Sequence, residues 1–247
     1  MISKSKIKFI KSLQVKKYRK QEQSFVVEGA KSVEELLRSS FETTWVAGTE
    51  EFLLRNEELI TKMRIETVVV GADELAQLGS FQTNESVLAI AKTKVNSALN
   101  LKDEFCLVLD DLRDPGNVGT IVRTADWYGI KNIIASEETA DFYNPKTISA
   151  TMGSFCRVNF FYTNLITFLA KNELPTFGAF MEGEDVHQFN YGKNGLLVIG
   201  NESNGISEAV SKHIQHKITI PRIGRAESLN AGIATAIILD NIFRLKK

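Results

Sequence analysis

Apolar residues open the chain at helical spacing, with Ile7, Ile10 and Leu13 predicting an amphipathic helix. Phe25, Val26 and Val27 then form a short apolar run ending at Glu28-Gly29, the pattern of a strand. Val33, Leu36 and Leu37 return to helical spacing, and further short strands are predicted over 44–47, 67–70 and 87–91. The sequence between Ala91 and Phe105 is polar and has no apolar period. It predicts a linker, placed at 96–104, between a small α/β domain over 1–95 and a second domain over 105–247.

In the second part, continuous apolar runs alternate with helical patterns. Strands are predicted over 105–109, 133–135, 158–161, 177–180, 196–199 and 218–220. A helix over 118–128 is closed by Gly129, and a last helix runs from 229 to about 246. Short runs of this kind predict an α/β fold, with a mostly parallel sheet covered by helices on both faces. Ligands of such sheets bind beyond the carboxyl ends of the strands. The last helix is almost wholly apolar from Ala231 to Leu239 apart from Thr235, and so needs a core or a second subunit to bury it.

Composition narrows the class. An apolar fraction of 43% and a charged fraction of 24% are those of a soluble globular protein. No run is apolar enough to span a bilayer, and charges interrupt the amino-terminal stretch where a secretory signal needs an apolar core. A cytoplasmic protein without a membrane segment is expected. Two cysteines, Cys106 and Cys156, supply neither a disulfide framework nor a zinc site, and the pair His213 and His216 lacks further ligands in a metal spacing. Net charge is zero, yet eight basic residues from Lys4 to Lys20 precede the first acidic one, Glu22. Such a stripe is either a solvated helix face or a surface for a phosphate backbone.

Three polar, glycine-bearing loops each follow a predicted strand. The first is Asp110-Asp111-Leu112-Arg113-Asp114-Pro115-Gly116-Asn117, with Asn117 as a helix N-cap. Val118, Ile121, Val122 and Ala125 share the buried face of the helix that follows, so Arg123 points elsewhere. Arg123 is open to two readings, an ion pair with Asp126 or Asp114, or a clamp on an RNA phosphate. The second loop, Gly200 to Ile206, brackets Glu202 with glycines and reads as a turn or as a close approach to a ligand. The third, Pro221 to Asn230, contains Ser228, which is either a cap of the last helix or a site residue. None carries G-x-G-x-x-G or G-K-[ST], which argues against a nucleotide-dependent oxidoreductase or a P-loop enzyme.

In series, D-P-x-N-x-G-x-x-x-R-T-A (Asp114 to Ala125), G-N-E-x-x-G-I (Gly200 to Ile206) and I-P-x-x-G-x-x-x-S-L-N (Ile220 to Asn230) resemble the three motifs of the SpoU (TrmH-like) RNA 2′-O-ribose methyltransferases. Ser149 to Ser154 resembles that family's helix between the first two motifs, and Phe25 to Glu34 with Asn84 to Ala91 resembles its ribosomal-protein-like substrate-binding domain. The resemblance implies a knotted α/β fold of SPOUT type, with a trefoil knot, and a homodimer. It implies S-adenosyl-methionine as cofactor, held at Gly200, Ile220 and Leu229 with a turn at Phe180-Met181-Glu182 closing one side. It assigns catalytic roles to Arg123, Asn117, Glu202, Ser228 and Asn230, and no metal. The expected substrate is RNA, ribosomal in preference to transfer RNA; a non-catalytic RNA-binding or ribosome-assembly protein of the same fold is the rival reading.

Overall fold

In a computed structural model, which describes residues 2–81, 84–99, 101 and 104–244, the chain divides into two compact units. The first comprises Met1–Val95 with Asp141–Cys156, and the second Asn96–Ala140 with Arg157–Lys247. Part of the expected linker (Asn100, Lys102 and Asp103) and the end of the last helix near Lys246 lie outside the described residues.

The first unit is a mixed sheet with helices. Helices α1 (Lys4–Ser12) and α2 (Lys16–Glu22) lead into β1 (Ser24–Glu28), α3 (Ala30–Leu37) and β2 (Thr43–Gly48). Then come α4 (Glu50–Arg55), α5 (Glu57–Met63), β3 (Glu66–Val69), α6 (Ala72–Leu78) and β4 (Val87–Lys92). The strand order is β1-β4-β2-β3, with β4 antiparallel to both β1 and β2, and β2 parallel to β3. Ile10 and Leu13 pack with Val26, Trp45, Leu75 and Leu88, so the apolar face predicted for the first helix is its core face.

The second unit carries β5 (Phe105–Leu109), α7 (Pro115–Trp127), β6 (Asn132–Ala135), β7 (Asn159–Tyr162), α9 (Leu165–Ala170) and β8 (Thr176–Asp185). It ends with β9 (Gly195–Ile199), α10 (Glu208–Ser211), β10 (His216–Thr219) and α11 (Ala231–Arg244). Helix α8 (Pro145–Thr151), which contains the start of the Ser149–Ser154 motif, belongs to the first unit, where Gly153 meets Glu35 and Phe155 meets Phe25 and Phe41. The six-stranded sheet runs β10-β8-β9-β5-β6-β7, and every pairing is parallel. Chain order leaves β5 in one direction toward β6 and β7, then resumes on its other side with β8 and β9. The crevice beyond the carboxyl ends near β9 is therefore the place for a ligand.

Two expectations change. Helix α7 starts earlier than predicted: Asp114, not Asn117, is the N-cap, its carboxylate accepting the Asn117 N–H at 2.8 Å with Pro115 at the first helical position. Asn117 thus lies in the first turn with its side chain released. The expected turn at Phe180-Met181-Glu182 is the middle of β8, a ten-residue strand rather than one ending at 180. Its second half lacks an apolar period and was invisible to patterning; Gly183 lets it run against β10, where an added Cβ would lie 2.5 Å from the Lys217 carbonyl.

Candidate functional site

Beyond β8, β9 and β10 lies a cavity of about 1120 Å³, lined by the Gly200–Ile206 loop, the chain from Ile220 to Leu229 and the outer half of β8. Gly200, Ile220, Leu229 and Met181 all line it, as do Glu202 and Ser228. Asn117, Arg123 and Asn230 do not.

The Gly200–Ile206 loop is shaped by its own polar groups. Asn201 and Gly205 exchange backbone hydrogen bonds of 2.9 Å, with Gly205 at φ +67°. The Asn201 side-chain oxygen accepts from the Ser203 and Asn204 N–H groups, and its amide donates to the Asp111 carbonyl at 2.7 Å. Across the same turn, buried Asp110 accepts the Ser207 N–H at 2.7 Å. The loop folds so tightly that a Cβ on Gly200 would lie 2.2 Å from backbone atoms of Gly205 and Ile206. Asn201 and Asp110 are positioning residues that sequence reasoning missed. The signals were the place of Asp110 directly after β5 and the fixed position of Asn201 in the G-N-E-x-x-G-I motif.

At the rim, the three loops meet. Asn117 donates through its amide to the Glu202 carboxylate at 2.9 Å, and accepts the Asn230 amide at 2.8 Å. Asn230 in turn caps α11, its side-chain oxygen accepting the Gly232 N–H at 2.9 Å and the Ile233 N–H at 3.3 Å. The cap of the last helix is therefore Asn230, and Ser228 is left in the exposed, cavity-lining segment. Thr120 packs on Gly232, and Tyr128 meets Asp240 and Phe243, so α7 and α11 run side by side in the same direction. Both helices thus present their positive ends at the Asn117–Asn230 contact, a position that favours negative charge.

Arg123 is exposed on α7. The partners open to it in the sequence are engaged elsewhere: Arg157 takes Asp126 at 2.8 Å, and Asp114 caps the helix. Among the described residues Arg123 makes no ion pair. Arg113, in the same first loop, is held by Asp111 at 2.8 Å, and that carboxylate raises its already high pKa.

The cavity fits an adenosine-bearing cofactor. Its wall combines backbone brought close at Gly200 with exposed apolar side chains, Met181, Ile223 and Leu229, that an aromatic base would cover. No group of three or more His, Cys, Asp or Glu suited to a metal ion occurs among the described residues.

Comparison with known proteins matches residues 104–240 of the chain to the SpoU rRNA Methylase family, and residues 4–89 to an MRM3-like substrate binding domain. The Bacillus subtilis 23S rRNA (guanosine(2553)-2′-O)-methyltransferase RlmP is 27% identical, covering 96% of this chain and 95% of its own. A putative RNA methyltransferase of the TrmH family from Porphyromonas gingivalis is 34% identical, with a TM-score of 0.88 over 99% of both chains. The AdoMet-bound rRNA methyltransferase of Sinorhizobium meliloti is 27% identical, with a TM-score of 0.89 over 99% of this chain and 97% of that one.

Proposed function

Because the chain belongs to the SpoU rRNA methylase family, we propose that it transfers a methyl group from S-adenosyl-methionine to a ribose 2′-hydroxyl of ribosomal RNA. The observation that carries this reading is the hydrogen-bonded chain Glu202–Asn117–Asn230, which ties one residue from each of the three motifs together at the rim of the cavity. Gly200, Ile220, Leu229 and Met181 line the cavity and would hold the cofactor there. When bound, it supplies a methyl group on a positively charged sulfur that departs as a neutral thioether.

The protein's work is alignment and charge. Methyl transfer requires the ribose oxygen, the methyl carbon and the sulfur in line, while the hydroxyl proton is lost. Ser228 and Asn230 hold the ribose, and Glu202 fixes the Asn117 amide so that it holds Asn230 in turn. Arg123, a guanidinium with a pKa above about 12, is a poor base and a good anion clamp. It grips the phosphate beside the target ribose and favours the developing alkoxide. Residues 1–95 form the RNA substrate-binding domain. Exposed Trp127 on α7 and Ile233 on α11 are the face that a second copy covers. The trefoil knot implied by the motifs belongs to the same reading, as does action in the cytoplasm; no helix among the described residues is long and apolar enough to cross a membrane.

Arg123→Ala tests the assignment. The purified variant is expected to bind S-adenosyl-methionine like the parent in calorimetric titration, and to transfer no methyl group to ribosomal RNA. Normal turnover would reject the role of Arg123, and absence of cofactor binding by the parent would favour the non-catalytic rival.

A further inference from the structure

We propose that the corner formed by α1 and α2 is a contact surface for the RNA backbone, with Lys8, Lys11, Lys16, Lys17 and Lys20 on phosphates and Tyr18 under a base. The inference rests on the RNA-methyltransferase reading, and names where the first unit grips that RNA.

Lys4, Lys8 and Lys11 fall at i, i+4 and i+7 on α1 and are all exposed, opposite the face that buries Ile10 and Leu13. On α2, Lys16, Lys17 and Lys20 are exposed as well, with Lys16 and Lys20 one turn apart. Lys6 is occupied differently, 4.9 Å over the Trp45 ring. Tyr18 stands 41% exposed and Val15 51% exposed beside these lysines, and the Lys17 ammonium lies 6.0 Å from the Tyr18 ring centre. Basic groups around an exposed aromatic ring are the chemistry of single-stranded nucleic-acid binding, charge on the backbone and stacking on a base.

The corner is held in shape by the one basic residue of α2 that is not outside. Arg19, 3% exposed, donates to the Leu13 and Gln14 carbonyls at 2.8 Å and to Asp141 at 2.6 Å. That buried guanidinium closes the turn between the helices, so the lysines sit on a preorganised surface and not on a loose arm. Charge complementarity selects the partner. Eight basic residues precede Glu22 in a chain of zero net charge, so the rest of the protein carries the balancing acidic excess and the positive field is local. An anionic membrane suits the corner less well, because Ile10 and Leu13 are in the core and no apolar stripe remains on α1 to insert.

The experiment uses the full chain with purified large-subunit ribosomal RNA, measuring affinity across a salt series together with methyl-transfer kinetics. The triple variant Lys16→Gln, Lys17→Gln, Lys20→Gln is expected to lower the slope of log affinity against log salt by about 2, near 0.7 per lost phosphate contact. Its KM for RNA should rise roughly ten-fold or more, with kcat and S-adenosyl-methionine affinity unchanged. Tyr18→Ala should weaken RNA binding roughly five- to a hundred-fold with no change in slope. The triple Lys→Arg variant should behave as the parent.

An unchanged slope and KM in the triple Gln variant overturns the proposal, as does binding to phosphatidylglycerol vesicles that is lost in the variant while RNA binding persists. These side chains are exposed, so a matching thermal melt is expected. If the triple variant nevertheless unfolds, Tyr18→Ala decides alone. If the parent binds RNA through the corner yet methylates none, the surface stands and the enzymatic reading falls. If it methylates RNA and the corner is silent, the reverse holds.

Discussion

At the scale of single residues, Asn117 has the most to explain. Its amide donates to Glu202 and accepts from Asn230, so its orientation is fixed by both neighbours. Asn117→Asp keeps the shape but removes the donor and sets a second carboxylate against Glu202. A hydrogen bond to a charged group is worth about 1.5–3 kcal/mol, so methyl transfer is expected to fall by about ten- to 150-fold. Calorimetry should show cofactor affinity little changed, since Asn117 does not line the cavity; an equal loss of cofactor binding would move Asn117 from ribose positioning to cofactor binding. Cys106 gives a second check, on the core. Burial, with Glu104 adding to it, pushes its thiol from 9.0 up to about 12. The folded state therefore keeps a proton that the unfolded state releases above pH 9, and this contribution to stability is lost as pH rises from 9 to 12. Iodoacetamide at pH 8.5 should leave Cys106 intact in folded protein and label it in urea.

Among the elements, patterning found the buried strands and missed what polar groups decide. Strands β5, β6 and β9 lie where continuous apolar runs put them, because each is buried on both faces. The outer half of β8 escaped, being mostly polar or small from Met181 to Asp185 and exposed up to Glu184. The start of α7 was misplaced by one turn, because two side chains of the same loop are competent caps and only geometry chooses Asp114. The three motifs announced the family, but not that Asn117, Glu202 and Asn230 touch, since they lie 85 and 113 residues apart. Asp114→Ala should cost about 0.5–2 kcal/mol in chemical denaturation, the usual loss for an N-cap. A cost near zero would mean that Pro115 alone sets the helix start. Gly200→Ala is a harsher change. Its Cβ meets backbone and not a movable side chain, so S-adenosyl-methionine affinity is expected to drop at least about ten-fold, the equivalent of 1.4 kcal/mol.

For the whole molecule, the consequential surface is the pair α7 and α11. Sequence alone required a cover for the apolar last helix, and the second unit supplies part of it: Ala231, Thr235, Ile238, Leu239 and Ile242 are buried. The rest is outside. Ile233 is 54% exposed on α11 and Trp127 is 84% exposed on α7. An exposed tryptophan suits the centre of the proposed interface, where truncating such a residue costs about 2 kcal/mol or more. In the two-fold dimer proposed above, each substitution acts at both copies of the patch. Trp127→Ala is therefore expected to raise the dimer dissociation constant by at least about thirty-fold, and Ile233→Asp to place two charges against the facing apolar surface. Both residues are exposed within the protomer, so the variants should keep the parent's circular dichroism while sedimenting as monomers. Methyl transfer should fall with dimerisation if the second copy completes the RNA-binding face. Should both variants remain dimeric, the copies associate elsewhere, and Trp127, one helical turn beyond Arg123, becomes the stronger candidate for direct contact with RNA.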